Sequence, residues 1–110
     1  MPSSKEYLDF ILDCLSNLDN ITYKPMMKEY LIYYNGKNIA GIYDNRLLLK
    51  NVDNLSSIMN EYILEKPYPN AKDMVVADNL EDSKYLADIF NFLYERLPFP
   101  KKRKIVENKK

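Results

Sequence analysis

The side chains that most often do chemistry are nearly all missing from this chain. Of its 110 residues none is histidine and only Cys14 is cysteine. Imidazole is the usual general base near neutral pH and the commonest metal ligand, so Ser-His-Asp and Cys-His systems and histidine-built zinc sites are excluded. One thiol makes neither an intrachain disulfide nor a thiolate zinc site, which fits a reducing compartment. Carboxylates are numerous, but only Asp78, Glu81 and Asp82 cluster, and they stand where a helix begins. A cap and the positive end of the helix dipole account for all three without a cation. Cys14 falls on an apolar stripe, and Met26, Met27, Met59 and Met74 read as gap-fillers rather than ligands. The expectation is a non-enzymatic chain with no catalytic residues, no cofactor and no metal.

Binding chemistry is better represented. There are ten tyrosines and no tryptophan, and residues 29–50 interleave tyrosine with arginine and lysine. Tyr30, Tyr34, Tyr43, Arg46 and Lys50 are the candidate partner-binding residues, brought to one sheet face by the register given below. Tyrosine and arginine are enriched at protein interfaces, and aromatic sheet faces also stack nucleic-acid bases. Tyrosine equally suits a plain half-exposed strand. A protein partner, a second copy, a nucleic acid and an idle surface therefore all stay open. The second electrostatic candidate is Lys101, Lys102, Arg103 and Lys104. From Pro98 onward six basic residues face one acid, Glu107, whereas the residues before it carry ten basic and fifteen acidic groups. A basic tail on an acidic body reads either as a local phosphate contact, steeply salt-dependent, or as a solvated end.

The elements that must position these residues follow from periodicity. Ser3 and Glu6 have capping-box spacing, and Tyr7, Leu8, Ile11, Leu12, Cys14, Leu15 and Leu18 predict an amphipathic helix over residues 4–18. Strands follow over 21–27, 29–34, 37–43 and 46–50. Pro25 restricts the first to an edge, a bulge or a strand end. Asn35-Gly36 is the strongest short hairpin signal available, and Asp44-Asn45 supplies another tight turn. With both as two-residue turns, Ile32 meets Ile39, Leu31 meets Ala40, and Ile42 meets Leu47. One face then collects Leu31, Tyr33, Ala40, Ile42, Leu47 and Leu49 beneath the helices. The other collects Tyr30, Ile32, Tyr34, Ile39, Tyr43, Arg46, Leu48 and Lys50. Further on, Leu55, Ile58, Met59, Tyr62 and Ile63 suit a helix of two or three turns. Residues 66–70 form a loop, and 74–77 a strand. Asp78 or Asn79 caps a last helix striped by Tyr85, Leu86, Ile89, Phe90, Leu93, Tyr94 and Leu97, which Pro98 and Pro100 stop.

The predicted fold is α+β, in the order α-β-β-β-β-α-β-α, a mostly antiparallel meander with helices on one face. Residues 1–98 make one domain and 99–110 a basic, flexible tail. No apolar run approaches the ~20 residues that cross a bilayer, and the start, Met1-Pro2-Ser3-Ser4-Lys5-Glu6, lacks signal-peptide layout. A cytoplasmic protein without membrane contact is expected.

Several segments taken together resemble a known family. Tyr23-Lys24-Pro25-Met26-Met27, Glu29-Tyr30-Leu31, Tyr34-Asn35-Gly36-Lys37, Gly41 through Leu47, and Pro67-Tyr68-Pro69-Asn70-Ala71-Lys72 look like the N-terminal domain of the TfoX/Sxy competence regulators. Lys28 and Asn70 stand where that family has glycine. The resemblance covers nearly the whole chain and implies a secretion-chaperone-like α/β domain, free-standing because the family's second domain has no counterpart here. It also implies a regulatory or adaptor role with a protein partner linked to transcription. Nucleic-acid binding through the sheet face and tail is the alternative, and a homodimer a further reading.

Overall fold

The computed structural model describes residues 3–27, 29–59 and 61–98. The first helix, α1, runs Lys5–Cys14, and its cap is Ser4, whose Oγ accepts the Tyr7 N–H at 3.0 Å. Ser3 is not the capping residue that its spacing to Glu6 predicts. It turns to the sheet instead, its Oγ donating to Glu29 Oε1 at 2.6 Å and accepting the Asn45 N–H at 3.0 Å. The helix also stops four residues early. Leu15 N–H is shared between the Ile11 and Leu12 carbonyls, tightening the chain into turns, and Asn20 takes a left-handed φ of 62° that leads into the sheet.

Six strands form one sheet in the order β1-β2-β3-β4-β6-β5, every neighbouring pair antiparallel. They are β1 Ile21–Met26, β2 Glu29–Tyr34, β3 Lys37–Ile42, β4 Leu47–Leu49, β5 Leu64–Glu65 and β6 Met74–Val76. The Asp44-Asn45 turn behaves as its chemistry demands. Both residues have φ near 55°, and Tyr43 and Arg46 exchange N–H···O bonds across it. Ile42 therefore faces Leu47, as expected. Along the outer strand, the Asn35 N–H donates to the Asn20 carbonyl, so Ile21 and Tyr34 form a non-hydrogen-bonded pair. Stepping by two, Pro25 is another such residue, and its missing N–H falls on the free edge, where it costs no ladder bond.

The β2–β3 register departs from the simple hairpin. Tyr34 faces Lys37 and Tyr33 faces Asn38, but Ile32 faces Ala40, so Ile39 is an extra bulged residue. A one-residue slip moves the strand beyond it to the opposite face. The helix-covered face is thus Tyr30, Ile32, Tyr34, Ala40, Ile42, Leu47, Leu49 and Val75, with bulged Ile39 also buried. Ala40, Ile42, Leu47 and Leu49 lie where the register predicts. Leu31 and Tyr33 do not, having exchanged faces with Ile32 and Tyr34.

Against this face pack Leu8 and Ile11 of α1 and Leu86, Ile89, Phe90 and Leu93 of the second helix, α2 (Ser83–Arg96), all fully buried. This helix has Asp82 as its cap, Oδ1 accepting from the Tyr85 N–H. Asp78, expected as a cap, accepts the Tyr85 hydroxyl instead. The helix expected near residues 55–63 is a single 3-10 turn, Leu55–Ser57. Leu55 and Met59 still reach the core, and the chain then extends into β5, which no periodicity announces. No helix among the described residues is long and apolar enough to cross a membrane.

Candidate partner-binding groove

Among the described residues no helix packs on the second face of the sheet. Alternation places Leu31 and Tyr33 of β2, Gly41 and the adjoining Tyr43, Leu48 with flanking Arg46 and Lys50, and Met74 and Val76 there. Leu48 is fully buried and Tyr43 is 7% exposed, although neither belongs to the helix-side core. What covers them is local. The Tyr43 ring folds back over Gly41, where a Cβ would stand only 2.5 Å from Cε2. Glycine is required here by the ring above it rather than by its backbone. The Tyr68 ring from the β5–β6 loop then leans on Tyr43, centroids 6.4 Å apart. Burial, the nearby Tyr68 phenol and the Glu29 carboxylate push the Tyr43 pKa up.

The loop leaves a groove of about 500 Å³ between itself and the strands, lined by Leu31, Tyr43, Lys50, Tyr68, Lys72 and Met74 among others. Its floor is aliphatic and thioether, its wall aromatic, and its cationic members come from β4's end and the loop. Lys66 holds Asp73 at 3.0 Å. Lys50 and Lys72 have no acidic partner among the described residues. Tyr68 is 55% exposed and so remains available for contact.

The five sheet residues singled out from the sequence are therefore divided. Tyr43 and Lys50 line the groove. Arg46 lies beside it but is engaged: its Nη1 pairs with Glu65 Oε1 across β6, and its Nε donates to the Tyr43 carbonyl at 3.3 Å. That Glu65 oxygen is buried and accepts no hydrogen bond among the described residues, so its ion pair with Arg46, just before β4, is the contact that links it to β5's neighbour strands. Tyr30 and Tyr34 require correction. The bulge turns both to the helix side, where Tyr34 packs on Phe90 and Tyr94 and donates its hydroxyl to Asn91 Oδ1 at 2.7 Å. Tyr30 is half-buried there, its ring edge-on to Tyr23. Lys101, Lys102, Arg103 and Lys104 lie outside the described residues.

Tyr68, Lys72 and Met74 were not singled out. The signal was an aromatic residue held between two prolines, Pro67-Tyr68-Pro69, a stiff presentation that reads as a loop and nothing more. A wider, shallower concavity of about 1090 Å³ lies at the start of α2 beside Asp78, Glu81 and Asp82. Two of these carboxylates already serve the helix. Cys14 is buried, and its thiol pKa is pushed up by burial and by neighbouring Asp13 and Glu81, the opposite of an activated nucleophile.

The "Uncharacterized 12.7 kDa protein in trpE 5'region" of Spirochaeta aurantia is 31% identical over 105 residues, covering 94% of this chain and 91% of that protein. This chain belongs to its family. No family model matches the sequence, and no solved structure matches it. The kinship spans both sheet faces and both helices, so it concerns the whole domain rather than one segment.

Proposed function

We propose that the protein is a small, non-catalytic adaptor domain of the cytoplasm that binds a protein partner on the loop-covered sheet face. One observation carries this reading: the groove combines an apolar floor, an exposed tyrosine and two lysines without acidic partners. Apolar anchors with a polar rim are what protein interfaces use. The resemblance to TfoX/Sxy N-terminal domains supports a regulatory role and a partner in the transcription machinery. Nucleic acid is the weaker candidate, because Tyr43 is already covered and Tyr68 is the one well-exposed ring of this face among the described residues, whereas strand binding needs several.

The test is photo-crosslinking in the native host with benzoylphenylalanine in place of Tyr68 or, as the control, of Phe10, which is exposed on α1. The reading expects one discrete protein adduct from position 68 and none from position 10. Adducts of equal yield at both positions, or to nucleic acid only, would reject it. A second copy is the runner-up, favoured by Ile63 and Leu64, which stand exposed along the β5 edge. An adduct of twice the chain's mass would select it.

A further inference from the structure

The groove's charge says more than that a protein binds there. Among the described residues Asp73 is the only carboxylate that lines the groove, and it is held by Lys66, as Glu65 nearby is held by Arg46. Three lysines of this face have no such partner among the described residues. Lys50 and Lys72 line the groove without acidic partners, and Lys24, which the β1–β2 register places on the same face opposite Leu31, is exposed and likewise lacks one among the described residues. This face is locally cationic on a body that carries five more acids than bases before Pro98. Such a contrast focuses an anionic partner onto one place and repels it elsewhere.

Resting on the adaptor reading, we propose that the groove takes an acidic segment of another protein that carries an apolar anchor side chain. The anchor enters over Leu31 and Met74 beneath Tyr68, and the flanking carboxylates meet Lys50 and Lys72. The floor decides between this and a nucleic-acid strand. Methionine and leucine side chains adapt to apolar anchors, whereas a polyphosphate brings a charge at every nucleotide against an acidic body. A few carboxylates confined to the groove avoid that repulsion. The long axis of the recognition is electrostatic, so it strengthens as salt is lowered.

Fluorescence anisotropy on the full chain tests this with three probes: a peptide of alternating glutamate and serine around a central leucine-phenylalanine pair, its lysine-for-glutamate counterpart, and oligothymidylate. The acidic peptide is expected to bind the wild type, and K50E/K72E to weaken it by about tenfold or more while the melting temperature holds. The lysine peptide should gain affinity for that variant. K101E/K102E/R103E/K104E should still bind the acidic peptide. Equal binding by K50E/K72E, loss only in the tail variant, preference for oligothymidylate, or no binding of the acidic peptide overturns the proposal. The adaptor reading fails separately, by the crosslinking result: a discrete adduct at position 68 with no preference for the acidic peptide leaves the face in use and rejects only the chemistry assigned to it.

Discussion

The two faces of this sheet are built from the same strands and covered in different ways. On one, two helices bury Leu8, Ile11, Ile32, Ile42, Leu49, Leu86, Ile89 and Phe90 completely. On the other, a ring folded over Gly41 and one loop shield Leu48 and leave a groove. Helices seal a face because each brings an apolar stripe of several turns; a loop held by Tyr68 and the Lys66–Asp73 pair covers only what lies beneath it. The sealed face holds the fold, and the part-covered one is the surface proposed to bind. Alternation along a strand makes this division of labour available to neighbouring residues, so Leu47 and Leu48 serve opposite sides.

Substitutions should separate the faces in order of cost. Phe90→Ala, on the sealed side, is expected to lose about 3–5 kcal/mol in a denaturant titration. A cost below ~1 kcal/mol would mean that α2 is not packed as described. Gly41→Val, on the other side, forces the Tyr43 ring off the sheet and should cost about 1–3 kcal/mol. Combining it with Tyr43→Ala should recover part of that loss, which a purely backbone effect would not allow. Arg46→Ala removes a pair whose side chains are about one-third exposed (35% and 37%), and should cost about 1 kcal/mol or less. Arg46→Glu places two acids together, so it should lower the melting temperature and is a poor probe of binding. Tyr68→Ala should change stability least of all while weakening partner binding.

Proton linkage sharpens the same contrast. Burial raises the pKa of Tyr7 and Tyr43 above 10, and burial with the Asp78 hydrogen bond pushes Tyr85 up to about 12. These phenols keep their protons to higher pH when folded than when unfolded. Stability is thus unaffected by them below the unfolded value near 10 and falls as pH rises through the folded values. Thermal melts between pH 9 and 12 should show that decline, and Tyr85→Phe should make it shallower; a flat profile in the wild type would contradict the linkage.

Much of the fold was legible from local chemistry. The Asn35-Gly36 and Asp44-Asn45 turns, the β3–β4 register and the stripe of α2 all follow from residues close in sequence. What escaped was parity. A single bulge at Ile39 carries no turn residue to announce it, yet it exchanges Tyr30 and Tyr34 for Leu31 and Tyr33 on the open face. The bulge lets Ile39, Ile32 and Ile42 all be buried on the helix side, a tertiary arrangement that strict alternation does not allow. The short β5 escaped for a similar reason: two residues are too few to show a period, and their pairing with β6 is non-local. Of the candidate site, Tyr43 and Lys50 were found through the turn that places them. Tyr68 and Lys72 arrive from a loop whose path over the sheet no spacing rule gives, and Met74 joins them from the start of β6.

The most direct measurement is a methyl NMR titration of the labelled full chain with the acidic peptide. The account predicts that Met26, Met74 and Leu31 methyls shift with peptide concentration while those of Leu86, Ile89 and Leu93 stay in place. Shifts centred on the helix-side methyls, or none on the groove floor, would contradict the claim that the loop-covered face is the working surface.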